Sequence, residues 1–188
     1  MTQTSKSHLA LRALCEGAIM VAVATALSYL KFFELPQGGS VCIGMLPIFL
    51  YCARWGWRSG FLAAFAYGLL QLIFDGAYAA TPMSMLLDYV LAYAVLGAAG
   101  FFSRAKGGIF IGTVVGSVLR FIVHFISGVT IYRIYEPTEL FNHAYTNPWL
   151  YSAVYNGSYV AIDMLFCLVI FAIIYKPLAK YIHGEDIR

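Results

Sequence analysis

Three side chains able to do chemistry stand inside long apolar runs: Asp88, His124 and Asn156. A carboxylate, an imidazole and an amide in hydrocarbon each raise the free energy unless they are gathered into a site or satisfied by a neighbouring helix. Their spacing from the nearest segment ends places all three at one depth. Asp88 follows Pro82 by two helical turns, about 9 Å at about 1.5 Å per residue. His124 lies about two turns before Tyr132, and Asn156 about two turns after Pro148, a similar depth. Tyr78, Tyr89, Tyr132 and Tyr151 belong to the same neighbourhood of the chain. One carboxylate enclosed by aromatic rings suits a planar, cationic ligand. The rings offer stacking and cation–π attraction, and the carboxylate accepts hydrogen bonds from an amine.

The elements that must position these residues are membrane helices. Hydrophobic residues make up 61% of the chain and charged residues 11%, against about 25% charged in soluble domains. The mean hydropathy of +0.77 points the same way. A span needs about 20 apolar residues, and six candidates emerge as one membrane domain over 1–188: 9–30, 40–56, 58–80, 82–103, 107–132 and 148–175. The second is short and carries Pro47, which predicts a kink or an oblique path. Thr81-Pro82 and Asn147-Pro148 each read as a capping residue before a first-turn proline. With six spans, nine Lys and Arg residues fall on one side and only Lys31 and Arg133 on the other. The positive-inside rule then puts both termini in the cytoplasm and Asp88, His124 and Asn156 in the outward half. The apolar run after Lys6 and Arg12 continues past Ala22-Val23-Ala24 to Leu30, so it reads as a retained helix rather than a cleaved signal.

Two more stripes run through these helices. Ser117, Arg120, His124, Ser127 and Gly128 share one face of the fifth; Ser152, Asn156, Tyr159 and Asp163 share one of the sixth. Arg120 and Asp163 both lie near mid-membrane, and an ion pair between them would tie the two helices together. Helix one shows Ala18, Ala22 and Ala26 at intervals of four. Such a strip admits close approach of another helix, from this chain or from a partner. The loop from Arg133 to Asn147 has the size and aromatic content of a lid. The basic residues are dispersed, which argues against nucleic-acid binding. The histidines and cysteines lack metal-site spacing. The chain has no phosphate-binding G-x-x-x-x-G-K-[ST] loop and no G-x-S-x-G or H-E-x-x-H motif, so no enzymatic activity is expected.

Four motifs then occur in order: Pro36-Gln37-Gly38-Gly39-Ser40, Leu86-Leu87-Asp88-Tyr89, Arg120-Phe-Ile-Val-His124-Phe-Ile-Ser-Gly128 and Tyr151-Ser-Ala-Val-Tyr-Asn156-Gly157. In these the chain resembles the thiamine-binding S component of energy-coupling factor (ECF) vitamin transporters, over essentially its whole length. The resemblance implies an all-α, six-helix protein of the bacterial cytoplasmic membrane that captures thiamine from outside without a cofactor. It would pass thiamine on through a transmembrane coupling subunit and two ATPase subunits. It implies a cavity lined by Asp88, His124, Asn156, Tyr151, Tyr132 and Tyr78, under a lid between helices one and two. It also implies docking of the coupling subunit on Ala18, Ala22 and Ala26. Tyr132 stands where tryptophan can occur, Asp88 is a methylene shorter than the glutamate also found there, and a lid tryptophan is replaced near Gly38. Tyr151 and Asn156, five apart, point about 140° from each other on an ideal helix, so both meet one ligand only over an irregular first turn or the helix end. The other readings are an S component for another vitamin or a thiamine precursor, and a self-sufficient proton-coupled carrier using Asp88, His124, Asp163 and Arg120.

Overall fold

The computed structural model describes residues 6–35, 38–75, 81–135, 139–141 and 143–187. Its long helices are α1 (Lys6–Ser28), α2 (Met45–Asp75), α3 (Pro82–Phe102), α4 (Gly108–Tyr135) and α5 (Pro148–Ile174). All five contain stretches long and apolar enough to cross a membrane. A short α6 (Ala179–Ile182) follows. Two small antiparallel hairpins join the helices. β1 (Phe33–Glu34) pairs with β2 (Ser40–Val41), placing Phe33 opposite Val41. β3 (Glu139–Leu140) pairs with β4 (His143–Ala144).

α2 is two helices in antiparallel contact. At Gly56 the backbone takes φ 77° and ψ −173°, outside helical space and in the left-handed φ range that glycine tolerates. Arms 45–55 and 57–75 fold back on each other. A Cβ built on Gly60 would lie 2.7 Å from Cys52 Sγ, and Gly44 abuts the Tyr67 hydroxyl. The hairpin thus supplies the second and third of the six helices that the chain's apolar pattern demands. The break falls at Gly56 and not at Pro47, which sits in the first turn, where a missing N–H leaves no bond unmade. The first arm also starts later than position 40. Residues 40–41 are strand, and Val41 and Cys42 are buried. An arm over 45–55 is only about 16 Å long, about half the hydrocarbon thickness. The remaining depth is covered by non-helical chain enclosed in protein, the one setting in which such backbone is tolerated in a membrane.

Capping fixes the entries of α3 and α5. Thr81 Oγ1 accepts from the Ser84 N–H at 3.1 Å while Ser84 Oγ accepts from the Thr81 N–H at 3.0 Å. Asn147 Oδ1 accepts from the Trp149 N–H at 2.9 Å. Proline follows both caps. α3 packs against the second arm of α2 through glycines. A Cβ on Gly97 would lie 2.5 Å from Phe61 Cα, and one on Gly100 would lie 2.5 Å from Trp57 Cα. The shared core includes Met45, Phe49, Tyr67, Leu96, Cys167 and Phe171, while Leu62, Ile73, Val118 and Ile173 face outward. The four cysteines are free thiols.

An ion cluster closes the end of the bundle away from Asp88. Arg54 Nε donates to Glu16 at 2.6 Å and Arg54 Nη1 to Asp186 at 2.7 Å; Arg12 reaches both carboxylates. Hydrogen bonds from Arg54 hold the Asp186 carboxyl well below the usual range. At the other end, Lys31 contacts Glu34 at 3.0 Å and Asp75 at 3.3 Å. Partial burial disfavours its charge, but the two carboxylates outweigh this and raise its pKa.

Because backbone, not flexible side chain, fills the space at Gly97 and Gly100, Gly97→Ala and Gly100→Ala should each destabilise the bundle by about 1–3 kcal/mol. Thermal unfolding of the detergent-solubilised protein measures this. Unchanged midpoints would show that α3 packs less closely than these distances require.

Candidate functional site

α3 departs from regular helical geometry twice, tightening to a 3-10 helix over Val95–Phe102 and widening where Asp88 sits. Met85–Leu91 forms widened π-helical turns, with Asp88 at the centre of the segment. Such turns often mark functional positions, because they re-aim a side chain without ending the helix. His124 Nδ1 lies 3.0 Å from Asp88 Oδ1, and Ser127 Oγ donates to Asp88 Oδ2 at 2.6 Å. His124 and Ser127 share a face of α4, three residues apart. On the other side of the ring, Arg120 Nε donates to His124 Nε2 at 3.3 Å. A nitrogen that accepts leaves the proton on Nδ1, so Nδ1–H donates to Asp88. Asp88 is half-buried, its side chain 22% exposed. A carboxylate can accept about four hydrogen bonds, so these two leave capacity for a ligand.

Arg120 is buried and engages four neighbours besides His124. Nη1 lies 3.3 Å from Asp163 Oδ2 and 3.0 Å from Met45 Sδ, and Nη2 lies 3.2 Å from the Tyr93 hydroxyl. Its guanidinium carbon is 5.9 Å from the Tyr159 ring centre. Asp163, fully buried, accepts the Cys42 N–H on its other oxygen at 2.9 Å. The Arg120–Asp163 pair therefore joins α4 to α5 and also anchors the non-helical chain that precedes α2.

The wall beside Asp88 is a tyrosine ladder on α5. Tyr151 stacks on Tyr155 with centroids 5.8 Å apart, Tyr155 meets Tyr159 edge-on at 6.0 Å, and Tyr159 meets His124 edge-on at 5.9 Å. Tyr145 adds an edge-on contact to Tyr151 at 6.0 Å. The β1–β2 hairpin lies on this ladder. The Gly39 N–H donates to the Tyr155 hydroxyl at 2.9 Å, and Leu35 and Val41 pack in the same apolar cluster as Leu140. Both loops named as lids in the sequence thus meet over the tyrosines.

The candidate residues do not all converge. Asp88 and His124 touch directly. Asn156 is buried on the α4 side: its Nδ2 donates to His124 O at 3.2 Å and Ser152 O at 3.0 Å, while its Oδ1 accepts from the Tyr159 hydroxyl at 2.9 Å. Tyr151 instead faces the hairpin cluster, so the two residues five apart serve different neighbours. Tyr89 points toward the end of α2, where its hydroxyl donates to Asp75 O at 2.7 Å. Tyr78 and the Tyr132 side chain lie outside the described residues. Ala18, Ala22 and Ala26 are not buried, and α1 turns Gly17, Val21 and Ala24 inward. Tyr93, Met45 and the Gly39 amide escape a reading of the sequence, since among apolar neighbours they pass for packing or turn positions.

Fold and site together define a multi-pass helical membrane protein with an intramembrane carboxylate set beside stacked tyrosines. Residues 14–183 match the family model described as Thiamine transporter protein (Thia_YuaJ). The chain belongs to this thiamine transporter family. It is 34% identical to the thiamine transporter ThiT of Bacillus subtilis, across 92% of this chain and 94% of that protein. It is 27% identical to ThiT of Lacticaseibacillus paracasei, across 96% and 95%. The solved structure of ThiT from Listeria monocytogenes superposes with a TM-score of 0.80 at 25% identity, covering 92% of this chain and 97% of that one.

Breaking a buried ion pair by removing one partner typically costs about 3–5 kcal/mol. Arg120→Gln and Asp163→Asn should each lower the unfolding midpoint, and the double variant should lose less than their sum. Strict additivity in thermal unfolding would show that the two groups are not coupled.

Proposed function

We infer that this chain is the substrate-capturing component of a thiamine importer, with Asp88 as its central ligand contact. The observation that carries the reading is the Asp88 carboxylate itself, held in the membrane by His124 and Ser127 with acceptor capacity in reserve. Thiamine offers an aminopyrimidine that donates hydrogen bonds and a cationic thiazolium ring. Asp88 accepts from the amine and supplies the counter-charge. Tyr151, Tyr155 and the neighbouring rings supply stacking and cation–π contacts, each worth about 0.5–2 kcal/mol. Tyr78 and the Tyr132 side chain, outside the described residues, are assigned as further contacts on the resemblance alone. Asn156 acts mainly as a strut, fixing α5 to the carbonyl of His124, with one Oδ1 lone pair left for the ligand. The β1–β2 hairpin is the lid, latched by Gly39 on Tyr155.

Both termini lie in the cytoplasm and the site opens outward, in keeping with the nine-to-two distribution of Lys and Arg. The chain has no phosphate-binding loop, so the driving energy comes from partners: an ECF transmembrane coupling subunit and two ATPase subunits. The strip of Ala18, Ala22 and Ala26 is the docking face for the coupling subunit, because α1 turns its other side into the bundle and leaves these three unburied. A self-sufficient proton carrier is disfavoured by the same contacts. A relay from Asp88 to Asp163 would have to pass through Arg120, which does not give up its proton in proteins.

Titrating thiamine into the purified protein, by calorimetry and tryptophan fluorescence, tests the reading. Losing a charge-assisted hydrogen bond costs about 1.5–3 kcal/mol, so Asp88→Ala should weaken binding by about 10- to 150-fold. Wild-type affinity in Asp88→Ala would remove the central contact. A Cβ on Gly39 would sit 2.9 Å from both the Tyr155 hydroxyl and the Tyr159 ring. Gly39→Ala should therefore release thiamine several-fold faster in stopped-flow chase, with little change in unfolding temperature. An unaltered off-rate would show that the hairpin does not gate exit.

A further inference from the structure

The end of the bundle opposite Asp88 carries a second built feature. A groove of about 570 Å³ opens between the start of the 57–75 arm, the end of α3 and the turn after α6. It is lined by Arg54, Trp57, Arg58, Phe101, Arg104 and His183, among others. Its floor exists because Gly56 and Gly100 let the two backbones touch. The arginines differ in their circumstances. Arg54 and Arg12 face Glu16 and Asp186, two cations against two carboxylates, so that cluster is electrically closed. Arg58 and Arg104 have neither a carboxylate nor a hydrogen-bond partner among the described residues. Arg58 is nevertheless oriented, its guanidinium carbon 5.2 Å from the Trp57 ring centre. Trp57 in turn stacks on Phe101, with centroids 5.3 Å apart and planes 22° from parallel. Both rings are exposed, and Leu62 and Phe65 continue the exposed apolar surface along the arm.

We propose that this groove binds the headgroup of an anionic glycerophospholipid, with Arg58 and Arg104 on the phosphodiester and the Trp57–Phe101 pair against the adjoining acyl chain. Guanidinium forks match phosphate oxygens geometrically. Basic pockets between helices at the membrane surface hold anionic headgroups. Stacked aromatics at the polar–apolar boundary are the usual companions of such a headgroup level. The continuous apolar surface leading from the groove favours a ligand with acyl chains over an acidic peptide or a free anion. The site shares no residue with the Asp88 centre.

The test is lipid retention by the purified protein. Wild type and Arg58→Gln/Arg104→Gln are incubated with equal amounts of phosphatidylglycerol and phosphatidylcholine of the same acyl chains, and bound lipid is counted by native mass spectrometry. Wild type should retain phosphatidylglycerol at least fivefold over phosphatidylcholine. The double glutamine variant should bring that ratio close to one, Arg58→Lys/Arg104→Lys should keep most of it, and thiamine affinity should stay unchanged in both. Trp57→Ala should reduce retention of both lipids while preserving their ratio. Equal retention of the two lipids by wild type overturns the proposal, and this holds even if a variant fails to fold. So does an undiminished ratio in the double glutamine variant. Thermal protection by inorganic phosphate equal to that by phosphatidylglycerol would assign the groove to a free anion instead.

Discussion

The Arg120 guanidinium is the point on which the bundle depends. A cation at mid-membrane is tolerable only if every face of it is answered, and here the answers come from different elements. Asp163 on α5 supplies the counter-charge, Met45 at the start of α2 and Tyr93 on α3 supply acceptors, and His124 on its own helix supplies a ring nitrogen. The arrangement therefore sets distances among four helices at once. It also sets chemistry: by occupying His124 Nε2, Arg120 fixes the tautomer that directs Nδ1–H at Asp88. The intramembrane carboxylate is positioned by a group that does not touch it.

The same pair solves a second problem. The chain between the β1–β2 hairpin and α2 is non-helical and buried, so its amides need acceptors that lipid cannot provide. Asp163 takes the Cys42 N–H on the oxygen that Arg120 leaves open. Losing the carboxylate would thus unseat a cation and a backbone amide together. On α3 the backbone irregularity takes another form, a run of π-helical turns around Asp88. Both departures lie against α4 and α5, where side chains can compensate them. The outward faces of α1 and of the 57–75 arm stay regular and apolar.

The Asp88–His124 contact and the placement of Asn156 beside His124 are legible in the sequence, because polar residues at spacings of three and four within apolar runs are stable only when turned toward one another. The Asn-Pro and Thr-Pro starts of α5 and α3 are legible too, since each residue type has one favourable place in a first turn. The start of α2 is not legible: Ser40–Gly44 is apolar enough to pass for helix, and its hydrogen bond to Asp163 spans 121 residues. The widened turns of α3 leave no compositional trace. Tyr89 looks adjacent to Asp88 in sequence, yet its neighbour in space is Asp75. The role of Asn156 depends on which helix its amide faces, and a stripe of polar residues does not say which. Tyr93 and Met45 are invisible in the sequence because their polar atoms matter only once Arg120 is beside them.

Division of labour follows from where the ties are. The carboxylate, the imidazole and the ladder sit on α3, α4 and α5, which the Arg120 cluster locks together. α1 turns only Gly17, Val21 and Ala24 firmly inward and leaves its alanine strip unburied. It is tied by Arg12 and Glu16 in the ion cluster and by the Tyr51 hydroxyl on Ala13 O, and at its far end it runs into the β1–β2 hairpin. The hairpin continues the chain from the end of α1 and meets the tyrosine ladder through the Gly39–Tyr155 hydrogen bond and the packing of Leu35 and Val41. Just beyond β2, the Cys42 N–H bond to Asp163 ties the same segment to the Arg120 cluster. A single hydrogen bond between neutral groups is worth only about 0.5–1.5 kcal/mol. The Gly39–Tyr155 bond is therefore weaker than the buried Arg120–Asp163 pair behind it, whose disruption costs about 3–5 kcal/mol.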